Sequence, residues 1–175
     1  MNQTEQHGKR FGKAFIVATW LIVIVLLTLF FNKQLDKQRN PNQEIDGAIT
    51  LQGAKEIVLK RNRAGHYVAT GQINHRNVEF FVDTGASNVA VPAHLAKHLG
   101  LSPERTIIYQ TANGNVRGYT TTIETIALGN IIINNVGGGI NPGMKDDHIL
   151  LGMSFLKHVE FTQRGDQLII RQLAI

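Results

Sequence analysis

Cysteine is absent from this chain of 175 residues, and proline occurs only four times. The absence of cysteine excludes disulfides, cysteine-ligated zinc, iron–sulfur clusters and a thiol nucleophile. The shortage of proline excludes proline-rich architectures, and the 17 glycines are too few for a collagen-like chain. Charged residues make up only 18%, whereas hydrophobic residues make up 43%. This balance predicts a folded core and argues against general disorder.

The net charge of +5 is not spread evenly along the chain. The first 45 residues hold six basic and three acidic side chains, whereas the remaining residues hold 12 basic and 10 acidic ones. A nearly balanced folded part does not favour nucleic-acid binding, which requires a basic face. We therefore expect no nucleic-acid partner.

An uncharged apolar run, residues 14–31, follows a short N-terminal tail, residues 1–13. Eighteen residues of α-helix span about 27 Å, close to the thickness of the hydrocarbon core of a bilayer. A buried core helix and a cleavable signal peptide are the alternatives. The run is too uniformly apolar for a buried core helix. A signal peptide requires a cleavage site of small residues, and none follows the run. We predict a retained single-pass transmembrane helix.

The flanks of the apolar run carry three basic residues each, so the positive-inside rule does not fix the orientation by itself. The free amino terminus adds a positive charge to the N-terminal side, and a short tail that stays inside has nothing to cross. We expect an inner (plasma) membrane protein with a cytoplasmic N-terminus and a periplasmic domain. Residues 32–48 are polar and contain Asn40-Pro41-Asn42, which predicts a tether to a domain over residues 49–175.

Short β-branched and aromatic runs separated by turn residues fill residues 49–175, which is typical of an all-β meander. Asn113-Gly114 and Gly129-Asn130 predict hairpin turns. Two short helices are expected, Pro92–Leu99 and Met153–His158. The predicted strands are Glu56–Lys60, His66–Ile73, Val78–Val82, Thr106–Tyr109, Val116–Thr122, Ile123–Leu128, Ile131–Val136 and Gln167–Gln172.

The most informative segment is Phe80-Phe81-Val82-Asp83-Thr84-Gly85-Ala86, in which an acid, a hydroxyl and a glycine directly follow an apolar strand. Asp-Thr-Gly alone is also what an ordinary Asx turn at a strand end contains. A second apolar segment that ends in glycine, Ile149-Leu150-Leu151-Gly152, follows about 65 residues later and makes the combination specific. Together the two segments resemble the retropepsin-like (clan AA) aspartic proteases, and within them the bacterial membrane-anchored branch.

The resemblance implies an acid-protease half-barrel, a closed β-sheet fold with psi loops. It implies that Asp83 is the catalytic carboxylate and that its loop is supported by Thr84, Gly85 and Ala86. The psi-loop partner segment would be Leu150, Leu151 and Gly152. The flap that closes over substrate would be formed around Tyr109, Ala112, Asn113 and Gly114.

Hydrolysis by carboxylates requires two of them close together, because an ionised one takes a proton from water while its protonated partner polarises the carbonyl. Two carboxylates a few Å apart cannot both ionise, so the pair shares one proton. This chain contains a single Asp-Thr-Gly, so the second aspartate must come from a second copy related by a twofold axis. We expect a membrane-anchored aspartic endopeptidase that acts as a homodimer on protein or peptide substrates without a cofactor. The alternative is a non-catalytic peptide-binding or adaptor module of the same fold.

Two histidine-containing patterns and a glycine run have simpler interpretations than a ligand site. His94 and His98 lie four residues apart on a predicted helix, but the zinc-peptidase pattern between them is missing. Asp146-Asp147-His148 reads as a polar loop, so no metal site is expected. The run 137–139 is glycine throughout and predicts a bend at a strand end, because the lysine of a phosphate-binding loop is absent.

Overall fold

The computed structural model describes residues 3–111 and 114–173, and it divides into two compact units on either side of the bond between Gln38 and Arg39. The first unit consists of the helix α1 (Gln3–Arg39), whose last residue belongs to the second unit. Within Phe15–Arg39, an 18-residue window has a mean hydropathy of 2.5 and no buried residue. By length and composition, this helix is able to cross a membrane.

The second unit is built almost entirely of strands, as the alternating apolar pattern predicts. Two helices of a single turn interrupt them, α2 (Ala93–Ala96) and α3 (Met153–Leu156). The strands in the described part of the chain are β1 (Gly47–Ile49), β2 (Lys55–Lys60), β3 (Val68–Ile73), β4 (Arg76–Val82), β5 (Val89–Pro92), β6 (Thr106–Thr111), β7 (Gly114–Leu128), β8 (Ile131–Asn141), β9 (His148–Leu151), β10 (Glu160–Arg164) and β11 (Gln167–Gln172).

The strands form two sheets around one apolar core. The larger sheet has the order β3-β4-β9-β5-β8-β7-β6, and an additional pairing of β3 with β7 closes it on itself. The smaller sheet has the order β1-β2-β11-β10. Its alternation places Ile57, Leu59, Leu168 and Ile170 on one buried face, where they pack with the large sheet. The all-β prediction and the closed-sheet architecture are confirmed.

The long hairpin β7–β8 differs from the prediction in two ways. Strands Val116–Thr122 and Ile123–Leu128 are one continuous strand, because β8 pairs with it from Leu128 back to Tyr119. The bend expected at residues 137–139 is also wrong, since this glycine run lies inside β8. The reason is packing across the sheet: a Cβ at Gly138 would lie 2.8 Å from the side chain of Ile123.

Four strands lie outside the predicted set, β1, β5, β9 and β10, and both short helices end earlier than expected. All four residues of β5 are buried, so its sequence lacks the polar–apolar alternation that identifies a half-buried strand. Strand β9 is equally short, and its position depends on pairing with β4, whose paired residues lie 69 positions earlier in the chain. Neither property can be read from local sequence.

The predicted polar tether differs from the structure at both of its ends. Helix α1 continues to Arg39, and β1 begins at Gly47. Between them, Asn42 is only 4% exposed. Its side-chain amide donates to the carbonyl oxygens of Lys60 (2.9 Å) and Val68 (2.6 Å), and its oxygen accepts from the Lys60 N–H (2.7 Å). Asn42 thereby links β2 of the small sheet to β3 of the large sheet.

Candidate active site

The candidate aspartate lies at the point where three strands meet. Strand β4 ends at Val82, and the chain passes through Asp83, turns and enters β5. Strand β9 lies between these two strands, parallel to β4 and antiparallel to β5. Leu150 and Leu151 of β9 pair with Phe81 and Val82 of β4. A strand inserted between two consecutive strands is the psi arrangement, and it holds the Asp83 loop from both sides.

Backbone hydrogen bonds hold the Asp83 loop in one conformation. The N–H of Asp83 donates to the carbonyl of Leu151 (3.2 Å), and the N–H of Ala86 donates to the carbonyl of Asp83 (3.2 Å). The N–H of Gly85 donates to the carboxylate, to Oδ1 of Asp83, at 2.9 Å. This carboxylate is therefore oriented by the chain that follows it while its other oxygen remains available, and its side chain is half-buried.

Gly85 allows this orientation because it lacks a side chain. An added Cβ would lie 3.2 Å from Oδ1 of Asp83, which is tighter than an ordinary contact. Its backbone φ is not positive, so the requirement is close approach to the carboxylate rather than a left-handed conformation. Thr84, the residue between them, is exposed.

Gly152 brings the start of helix α3 against the same loop. A Cβ at Gly152 would lie 2.4 Å from the carbonyl oxygen of Asn88 and 2.5 Å from that of Ala86. Only glycine fits this gap between two backbones. The close approach allows the N–H of Met153 to donate to the carbonyl of Ala86 at 2.8 Å. At the next residue of the helix, the buried Oγ of Ser154 accepts from the N–H of Val89 at 2.9 Å.

Asp83 and Thr84 open into a cavity of about 540 Å³. The cavity is lined by the residues that precede β3, by the end of β4 with the Asp83 loop, and by β10 and β11 of the small sheet. Asp83 is the acid among the residues that line this cavity, and both polar and apolar side chains surround it. The lining residues are Gly65, His66, Tyr67, Phe81, Val82, Asp83, Thr84, Phe161, Gln163 and Leu168.

A second cavity, of about 550 Å³, adjoins the first and shares His66 and Phe81 with it. Leu150 lines this second cavity, as do His148, Arg39 and Asp146. A polar network stands at its rim. Glu79 lies 2.9 Å from Nε2 of His148 and 3.5 Å from the guanidinium of Arg39, and it accepts from the amide of Asn40 at 3.1 Å.

The predicted flap residues are only partly described by the structure. Strands β6 and β7 form the expected hairpin, and Gly114 opens β7 with a φ of +104°. Ala112 and Asn113 lie outside the described residues. Tyr109 is not among the residues that line the Asp83 cavity. Its ring lies over two glycines of the sheet, where a Cβ at Gly139 would be within bonding distance of the phenol oxygen.

The phenol oxygen of Tyr109 is buried and has no hydrogen-bond partner within the described part of the chain. Burial raises the pKa of Tyr109, because the ionised form would lose its hydration. The packing of the Tyr109 ring over Gly118 and Gly139 holds this part of the hairpin against the sheet. Tyr109 therefore anchors the hairpin, rather than reaching toward the Asp83 cavity.

Several residues that line the Asp83 cavity were not predicted from the sequence to be site residues. Phe81 could have been found, because strand alternation with the fully buried Phe80 turns it to the same face as Asp83. His66 and Tyr67 precede the next strand along the sheet. Phe161 and Leu168 come from β10 and β11, about 80 residues later in the chain, and no local pattern connects them with Asp83.

His94, considered above as a metal ligand, instead pairs with Asp147 at 2.8 Å.

The closed β fold and the psi loop around an Asp-Thr-Gly define the class of retropepsin-like aspartic proteases. A family model described as "gag-polyprotein putative aspartyl protease" matches residues 69–158. The crystal structure of a retropepsin-like aspartic protease from Rickettsia conorii is 31% identical, with a TM-score of 0.58. That similarity covers 74% of this chain and 96% of the Rickettsia conorii chain.

Two uncharacterized bacterial proteins are also similar in sequence. One, encoded in the cobV 5′ region of Sinorhizobium sp, is 31% identical over 179 residues, which covers 95% of this chain and 77% of the relative. The other, from Rickettsia prowazekii (strain Madrid E), is 30% identical over 118 residues, covering 66% of this chain and 50% of the relative. The chain belongs to the retropepsin-like aspartic protease family, and its fold supports a protease-type function.

Proposed function

We propose that this chain is a membrane-anchored aspartic endopeptidase that hydrolyses peptide bonds with water activated between two Asp83 carboxylates of a homodimer. The observation that carries the proposal is the psi loop. It presents a carboxylate oriented by the N–H of Gly85 (2.9 Å) at the mouth of a cavity large enough for a side chain of a peptide. In this role, one carboxylate removes a proton from water while its protonated partner polarises the scissile carbonyl.

The second carboxylate has to be supplied by a second copy. Asp83 is the only aspartate among the residues that line its cavity, and no other acid of the described chain shares that cavity. A twofold axis beside the loop brings Asp83 next to the Asp83 of the partner, and the two then share a proton. Thr84 is exposed next to Asp83. In this proposal its hydroxyl braces one loop against the other across the dimer.

The substrate in this proposal is a protein or peptide in extended conformation. Main-chain hydrogen bonds to a sheet-lined cleft give affinity, and pockets for alternate side chains give selectivity. The two adjoining cavities, of about 540 and 550 Å³, are of the size that such side chains need. The hairpin β6–β7 would cover the bound peptide with residues 112–114 at its tip, and Tyr109, three strand pairs from the turn, would hold it to the sheet.

The apolar residues 14–31 serve as the membrane anchor in this proposal. The 18-residue window with a mean hydropathy of 2.5 supports it, and so does the full exposure of that window. The N-terminus would lie in the cytoplasm and the protease domain in the periplasm. Confining two copies to one bilayer raises their effective concentration, so that a weak dimer interface is sufficient.

The experiment that tests this function compares the full chain in detergent with its Asp83→Asn variant on a mixed peptide library from pH 3 to 8. Asp46→Asn is the matched control, because Asp46 is an exposed aspartate outside both cavities. The wild type and Asp46→Asn are expected to cleave the same bonds, and Asp83→Asn none. Peptide binding without cleavage by the wild type, unchanged in Asp83→Asn, would instead favour the adaptor function.

A further inference from the structure

The short segment that precedes β1 is fixed on the folded domain. Asn40 and Asn42 are only 2% and 4% exposed. Nδ2 of Asn40 donates to Oγ1 of Thr70 at 3.0 Å, and the N–H of Asn42 donates to Oδ1 of Asn40 at 3.0 Å. Nδ2 of Asn62 donates to the carbonyl of Arg39 at 2.9 Å. The backbone of Arg39, the first residue of the second unit, is therefore held in place.

The side chain of Arg39 is also held, at the second cavity of about 550 Å³, which it lines. Its Nη2 contacts Nε2 of His148 and lies 3.5 Å from Oε1 of Glu79. Both of these contacts use Nη2, so Nη1 and Nε keep their N–H groups for a ligand. A guanidinium that is oriented before binding loses less side-chain entropy when it binds a carboxylate.

The two adjoining cavities carry charges of opposite sign. Asp83 is the acid of its own cavity, and neither lysine nor arginine lines that cavity. Arg39 and Lys145 line the second cavity, and Asp146 is the acid among its lining residues. Two bases against one acid leave the second cavity with one positive charge in excess, before any protonation of its two histidines.

Apolar side chains make up much of the remaining lining of the second cavity. They are Ala64, Val68, Phe81, Met144 and Leu150. An apolar surface with a few charged groups is typical of a cavity that orients its ligand by one polar end. The matching ligand has an apolar stem and a negatively charged end.

We propose that the second cavity binds an acidic side chain of the peptide substrate, a glutamate, whose carboxylate pairs with Arg39 and Lys145. The inference rests on the proposed function and specifies its substrate. The methylene groups of the glutamate lie against the apolar lining, and the fork of the guanidinium binds the carboxylate. Arg39, eight residues after the apolar run 14–31, is then a specificity-determining residue.

Two acids of the domain oppose this preference without cancelling it. Glu79 lies 3.5 Å from the guanidinium of Arg39, farther than the roughly 2.7–2.9 Å of a charge-assisted hydrogen bond. Its nearer partners are His148 at 2.9 Å and Asn40 at 3.1 Å. Asp146 and Lys145 are neighbours and both exposed, so their charges offset each other. Arg39 therefore decides the sign of the cavity.

The preference is measured as binding, so that it does not depend on cleavage. The full chain with Asp83→Asn is immobilised in a nonionic detergent and incubated with pools of short capped peptides. In each pool one position is fixed as glutamate or as glutamine, which have nearly the same shape. Mass spectrometry of the bound peptides should show, at one position, about fivefold enrichment of glutamate, the upper range for an ion pair exposed to water. Raised salt should reduce this enrichment.

Further substitutions in this background assign the preference to the cavity. Arg39→Gln should abolish the enrichment. Arg63→Gln is the matched control and should retain it, because Arg63 is exposed and lines neither cavity. Asp146→Asn should raise the enrichment about twofold, since it removes the opposing charge. Lys145→Glu should reverse the preference in favour of glutamine, because the cavity then carries one negative charge in excess.

The Lys145→Glu variant keeps the test decisive even where Arg39→Gln disturbs the fold. Lys145 is exposed, and its Nζ donates to a backbone carbonyl, that of Pro142, at 3.3 Å. The absence of glutamate enrichment at every position would overturn the proposal, as would an enrichment that Lys145→Glu leaves unchanged. An equal loss in Arg39→Gln and Arg63→Gln would also overturn it, because it would show general attraction to a basic protein.

These outcomes separate the acid-binding cavity from the proposed function. Enrichment that depends on Arg39 and Lys145, with no peptide cleaved by the wild type, would retain the cavity and remove the catalytic proposal. Cleavage by the wild type with equal binding of glutamate and glutamine at every position would do the reverse.

Discussion

Replacing Gly152 by alanine should damage the Asp83 loop more than any other single methyl group added to this domain. The new Cβ would lie 2.4 Å from the carbonyl oxygen of Asn88 and 2.5 Å from that of Ala86. Both atoms are backbone, so no side chain can rotate away. Restoring even a 3.0 Å contact moves the backbone by about 0.6 Å, which stretches the Met153–Ala86 hydrogen bond from 2.8 Å beyond its normal range.

The expected cost follows from these contacts. Overpacking of a tight site costs about 1–3 kcal/mol, and a weakened hydrogen bond adds about 1 kcal/mol. We therefore expect Gly152→Ala to lower the free energy of unfolding by about 2–4 kcal/mol. Displacement of the loop by a sizeable fraction of an ångström should also reduce peptide cleavage by about 100-fold.

The measurement is chemical denaturation of the full chain followed by circular dichroism, with peptide cleavage as a second readout. Gly137→Ala is the matched control, because Gly137 is exposed and a Cβ there meets nothing within 4 Å. The control should be neutral or slightly stabilising, since alanine reduces the entropy of the unfolded chain. Equal stability and equal activity of the two variants would refute the reasoning about the psi loop.

Three further substitutions test other parts of the fold by the same denaturation assay. Asn42→Ala removes three hydrogen bonds that link β2 to β3, so it should cost about 2–4 kcal/mol, and a loss below about 0.5 kcal/mol would contradict the link. Ser154→Ala leaves the buried N–H of Val89 without its acceptor and should cost about 1–3 kcal/mol. Tyr109→Phe removes a buried hydroxyl without a partner and should add about 1 kcal/mol. Because burial raises the pKa of Tyr109 above 10.0, the unfolded chain loses the phenol proton first as the pH rises. Titration of Tyr109 therefore leaves the free energy of unfolding unchanged below about pH 10 and lowers it above that pH. A series of alkaline denaturation curves should show a smaller decline of this free energy in Tyr109→Phe.

The elements that could be predicted are those specified by neighbouring residues. The hairpins around residues 113–114 and Gly129-Asn130 combine turn chemistry with flanking alternation, and both are present in the strand pairing. The strand before Asp83 and the glycine segment of β9 were identified from composition and spacing. Their crossing followed only from the resemblance to the retropepsin-like family, since residue patterns do not specify which strands become neighbours in a sheet.

The elements that could not be predicted depend on contacts between distant parts of the chain. The sequence around Asn42 predicts a polar turn, yet Asn42 is buried. Its side-chain amide forms hydrogen bonds with backbone groups of two strands, at Val68 and Lys60. The glycine run of β8 was expected to form a bend, yet it lies within the strand, where Gly138 makes room for Ile123 and Gly139 for Tyr109. Phe161 lines the Asp83 cavity because the pairing of the small sheet places β10 beside that cavity. In each case the residue type is explained by its partner rather than by its neighbours in sequence.

The central claim is that Asp83 acts as a pair contributed by two copies of the chain, and a mixing experiment tests it most directly. Wild type and Asp83→Asn are produced together in increasing proportions of the variant, purified as full chain in detergent and assayed on a cleaved peptide at constant total protein. If only the dimer of two wild-type copies is active, activity falls with the square of the wild-type fraction, to about one quarter in an equal mixture, since the two copies pair at random. A linear fall, to about one half, would contradict a shared pair of Asp83 carboxylates.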